Sequence, residues 1–151
     1  MIQRIQSIYL ALAAVIAGIA PFVKVGTFIK EERQFIYSMW SVKENVAQGA
    51  IYNNNILYLG MLGLLIAVLA LITVFLYKNR KKQISYCTVL MGLNLLWVFA
   101  VLILVPKFVL NAEIEFNPFI AIMLAPTILI WLAQKAIGKD EKMVRAADRL
   151  R

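Results

Sequence analysis

A chain of 151 residues that is 62% hydrophobic and only 16% charged departs from soluble domains, which are about 45–50% apolar and about 25% charged. This composition excludes a water-exposed globule, and the single cysteine excludes an intramolecular disulfide. The remaining strong signal is a net charge of +8 carried by 16 Lys and Arg against 8 Asp and Glu.

The first apolar run covers residues 5–23, close to the roughly 20 residues that carry a helix across a hydrocarbon layer about 30 Å thick. Arg4 before it and the small residues Ala17, Gly18 and Ala20 at its end imitate a secretory signal. Pro21 argues against one, because it would follow the cut, where proline obstructs peptidases, so the span is expected to be retained. Residues 24–54 are too long for a simple turn and too short for a core of their own. Within them 35–42 is rich in aromatic and β-branched residues and reads as a strand.

A second span is read at 56–77 and a third at 84–105, joined by the short basic turn 78–83, so the two helices must be antiparallel neighbours. Ala14 with Gly18, and Gly63 with Ala67, place small residues at four-residue spacing, which lets helix backbones approach. Asn94 is the most polar side chain at mid-span. Its amide is read as interhelical glue, worth about 0.6–2 kcal/mol, rather than as a substrate ligand. Cys87 lies in the same span without a histidine anywhere in the chain to activate it. The loop 107–117 contains a second strand candidate, 108–116, with Glu113 and Glu115 alternating against Ile114 and Phe116. The two strand candidates together predict a small β-cap over the bundle, since a lone hairpin is marginal in water.

The fourth span, 118–136, contains Pro126, which frees a carbonyl one turn earlier and predicts a kink. Beyond it, 137–151 reads as a helical continuation that leaves the membrane. Met143, Val144, Ala147 and Leu150 recur at helical spacing, and Glu141 with Arg145 forms a favourable i,i+4 pair. The fold expected is therefore one all-α membrane domain, a four-span antiparallel bundle with a small outer sheet.

Sidedness follows from the basic residues near the span ends. One face collects eleven Lys and Arg, among them Arg4, Lys78, Arg80, Lys81 and Lys82, against three acids. The other has five basic and five acidic residues. Both termini and the 78–83 turn are thus expected in the cytoplasm, with 24–54 and 107–117 in the periplasm. The cations are expected to meet anionic headgroups of the cytoplasmic leaflet or a protein partner.

The opening MIQRIQSIYL (1–10), the turn YKNRKKQI (77–84) and the ending KDEKMVRAADRLR (139–151) resemble the four-span membrane proteins of Bacteroidota grouped as domain-of-unknown-function family 4293. The resemblance runs from end to end and implies a bacterial inner-membrane location. It implies no activity.

The residues predict no catalytic, cofactor or metal site. Three function classes follow: an accessory, scaffold or assembly subunit of a larger inner-membrane complex; a small transporter or lipid-handling protein built around Asn94 and Pro126; and a membrane enzyme, which the lack of clustered acids disfavours. The first is preferred, with unidentified inner-membrane proteins as partners and the site expected at Met143, Val144, Arg145, Ala147, Asp148, Arg149, Leu150 and Arg151. Nucleic-acid binding is not expected, since this tail has no aromatic residue to stack on bases.

Overall fold

The computed structural model describes residues 2–30, 33–44, 51–53, 56–110 and 113–149. Four long helices form an up-and-down bundle: α1 (Ile2–Ile19), α2 (Leu57–Phe75), α3 (Arg80–Phe99) and α4 (Ala125–Arg149). The principal neighbours are α1 with α2 and α4, and α3 with α2 and α4, so the helices stand in a ring in sequence order. All four are long and apolar enough to cross a membrane. Their outward positions are apolar too, with Ile8, Val15, Met61, Val68, Leu96 and Ile128 about half exposed. A helix apolar all round needs hydrocarbon for a neighbour; this is a multi-pass membrane protein.

A five-stranded antiparallel sheet caps the end where α1 and α3 finish and α2 and α4 begin. Its order is β4-β3-β2-β1-β5, from β1 (Lys24–Lys30), β2 (Arg33–Ser38), β3 (Val42–Glu44), β4 (Ile51–Asn53) and β5 (Glu115–Phe116). The strand expected at 35–42 is two strands. The Ser38 hydroxyl donates to the Ser41 carbonyl at 2.6 Å and accepts from the Ser41 N–H at 3.2 Å, which closes a turn at 39–41. That turn lies on α2: the Gly60 N–H donates to the Met39 carbonyl at 3.1 Å, satisfying a first-turn donor where Ile56 offers no side-chain cap. The Trp40 ring covers Gly60, where a Cβ would come within 2.7 Å of it.

Among the described residues the strand expected at 108–116 is confined to Glu115–Phe116, because the third helix continues past 105. From Ala100 to Leu110 it runs in widened turns with Pro106 inside. In turns closed from i to i+5, the partner of the Val101 carbonyl is residue 106, a proline without an N–H. The buried Tyr37 hydroxyl supplies the missing donor at 3.1 Å. The sheet therefore stabilises a helix end that sequence logic would stop.

Pro126 does not kink a continuous helix either. Residues Pro118–Met123 form a 3-10 segment, with the Asn117 side chain accepting from the Phe119 N–H, and α4 starts at Ala125. Pro126 thus sits in the first turn, where an N–H has no intrahelical partner anyway.

Candidate functional site

At mid-bundle the Asn94 side chain is fully buried. Its amide donates to the Met123 carbonyl at 3.0 Å and to the Thr127 hydroxyl at 2.8 Å, bridging α3 to the start of α4. Because the Thr127 N–H goes to Leu124 instead, Asn94 serves a carbonyl that the 3-10 segment leaves free. The small residues meet as well. Ala14, Gly63 and Ala67 are buried, a Cβ at Gly18 would rest 3.8 Å from the Ala67 Cβ, and one at Gly63 would strike Pro21 and the Trp97 ring. The space at Gly63 admits the Trp97 indole, whose N–H donates to the Leu59 carbonyl at 2.8 Å.

Toward the end that carries the chain termini, three glutamines form a collar. Gln6 donates to the Ala136 carbonyl at 3.3 Å, Gln83 to the Thr73 carbonyl at 3.1 Å, and Gln134 to the Thr88 hydroxyl at 2.7 Å. Each joins a different pair of neighbouring helices. Arg80 then reaches Asp140 at 3.6 Å, with both side chains largely covered. Sequence reasoning placed Arg80 among the headgroup or partner contacts and did not foresee this ion pair; its signal was Asp140, one of three acids on that mostly basic end. Lys81 and Lys82 are exposed at the start of α3.

Past Asp140, α4 continues to Arg149 with Met143 and Val144 on its exposed surface. The backbones of Arg145, Ala147, Asp148 and Arg149 belong to this helix. Their side chains, those of Arg4 and Lys78, and Leu150 and Arg151 altogether, lie outside the described residues.

At the sheet end, three crevices of about 500, 430 and 330 Å³ border residues 113–118. Strand β5 is held by two paired positions, Gly26 with Phe116 and Thr27 with Glu115. Gly26 is required there, since a Cβ would collide with the Glu115 carbonyl. Sequence reasoning assigned no site to this region; the signal there was Lys107, Glu113 and Glu115 close together around Phe116.

Residues 2–150 match the model of a family described as a domain of unknown function (DUF4293), and the chain belongs to that family. No curated protein matches it.

Proposed function

We propose that this DUF4293 member is a non-enzymatic accessory, scaffold or assembly subunit of a larger complex in a bacterial inner membrane, with both termini in the cytoplasm. The observation that carries this reading is the length of α4, which outruns Asp140 by nine residues, Glu141 to Arg149, with Met143 and Val144 exposed. At about 1.5 Å per residue that is some 13 Å of helix. The partner is a protein rather than lipid alone, because the extension mixes Asp148 and Glu141 with Arg145 and Arg149. Anionic headgroups repel the acids, whereas a protein surface can pair with both signs. Lys81 and Lys82 are free to meet anionic lipid of the same leaflet. Transport through the bundle is the weaker reading, since both of the observed Asn94 donations go to the neighbouring segment, one to Met123 at the end of the 3-10 segment and one to Thr127 in α4.

The test is affinity purification of the full chain from native membranes in mild detergent, beside a form lacking residues 146–151 and a form carrying Arg145→Glu with Arg149→Glu. A stoichiometric partner should be present with the full chain and lost from both variants, while all four spans still insert. A truncated protein that retains every partner sinks the assignment.

A further inference from the structure

We propose that the crevice between the end of the third helix and residues 113–116 binds one zwitterionic phospholipid whose head group ends in a primary ammonium, the phosphatidylethanolamine class. The crevice holds about 430 Å³, within the roughly 300–1,000 Å³ of small-molecule sites. One wall is Leu102, Ile103 and Pro106, from the run Arg80–Lys107 that is apolar enough to cross a membrane. Phe116 of β5 lines it as well. Ile103 and Phe116 keep 47% and 44% of their surface exposed, so the crevice is open along an apolar flank that suits an acyl chain.

Its charged rim selects the head group. Lys107 and Glu113 both line the crevice and are both exposed, and Lys107 is the first charged residue after the uncharged stretch 83–106, where a bilayer changes from hydrocarbon to head groups. A lipid phosphate meets the Lys107 ammonium while the lipid's own ammonium donates hydrogen bonds to the Glu113 carboxylate. A glycerol head group would bring its negative charge to Lys107 and leave Glu113 without a cation. A choline head group would bring a cation with no N–H to donate. The larger crevice also has one lysine and one glutamate, Lys24 and Glu115, but its remaining walls are the sheet and residues 116–118, with no wall from the third helix.

The full-length chain, reconstituted with equal phosphatidylethanolamine, phosphatidylcholine and phosphatidylglycerol and released in mild detergent, is weighed with its retained lipid by native mass spectrometry. Wild type should retain one phosphatidylethanolamine in preference to each of the others by about three- to tenfold, the worth of a partly exposed charge-assisted contact. Glu113→Gln should reduce phosphatidylethanolamine to the phosphatidylcholine level, Lys107→Gln should lower retention of all three, and Lys24→Gln should change nothing. A photoreactive residue in place of Ile103 should capture phosphatidylethanolamine in excess over its share of the mixture, which keeps the proposal testable if a charge variant folds poorly. Equal retention of the three lipids by wild type, a preference that survives Glu113→Gln or disappears in Lys24→Gln, unchanged retention in Lys107→Gln, or photocapture in proportion to bulk composition overturns it.

Discussion

Replacing Tyr37 with Phe removes the hydroxyl that donates to the Val101 carbonyl in place of the missing Pro106 N–H. Both Tyr37 and Val101 are fully buried, and the bond is 3.1 Å long, so water cannot substitute. A buried carbonyl left without a partner costs about 1–3 kcal/mol; for a single neutral bond the lower half, about 1–2 kcal/mol, is expected. The cause is separable from simple loss of packing by a second change. Pro106→Ala restores an N–H that can close a widened turn on Val101, or return the helix to its ordinary register with the same carbonyl satisfied. In that background Tyr37→Phe should cost about 1 kcal/mol less, a coupling measurable by a double-mutant cycle. The assay is reversible unfolding of the four proteins in mixed micelles, followed by circular dichroism. Equal costs in the two backgrounds would refute the account. Burial, with a smaller contribution from Tyr58, also raises the Tyr37 phenol above its ordinary value of 10.0. The neutral phenol therefore contributes stability in full below that value, and the contribution is lost as pH rises through the higher folded one. The stability difference between wild type and Tyr37→Phe should be flat through neutral pH and shrink only in strong alkali.

Asn94→Leu should lower stability by about 1–2 kcal/mol without preventing insertion, since two interhelical bonds are lost but each is worth about 0.6–1.7 kcal/mol in a membrane, and the Asn94 Oδ1 has no partner to lose; the same micelle unfolding measures it. Gly60→Ala drives a methyl into the Trp40 ring and should cost about 1–3 kcal/mol, whereas Gly92→Ala, which meets nothing within 4 Å, should be neutral or stabilising; equal effects would contradict the packing described. In a Cys87→Ala background, a cysteine at exposed Thr27 should react with an impermeant maleimide from the periplasm and one at exposed Lys81 should not. Labelling of position 81 from that side reverses the orientation.

The helices were legible because twenty apolar residues have few other solutions in lipid, and Asn94 was legible as the one amide at mid-span. The sheet was legible only in part. Strand β1 escapes a period-two reading because its pairing with β2 slips between Lys24 and Gly26, so that Val25 and Phe28 are both buried, three positions apart. The two prolines each act differently from what local chemistry suggests. Pro106 looks like a stop, and the signal that cancels it, Tyr37, is 69 positions away in sequence; Pro126 looks like a kink, but the chain spends it in a first turn. Long-range hydrogen bonds of this kind leave no trace in local pattern.

These contacts also divide the cap into a fixed part and a loose one. The Met39 carbonyl on Gly60, the Trp40 ring on the same glycine and the Tyr37 hydroxyl on Val101 fasten β2 and its turn to two helices at once, so that side of the sheet cannot shift without breaking buried bonds. Strand β5 has two paired residues and crevices on its flanks. The Asn117 N–H adds one tie, to the Val25 carbonyl at 3.0 Å, and a short edge strand held by so few bonds gains from anything that packs beside it. A lipid in the Lys107 and Glu113 crevice would complete the packing of β5 against the third helix, which makes the order of residues 113–116, followed by hydrogen exchange in bilayers with and without phosphatidylethanolamine, a second and independent reading of the same site.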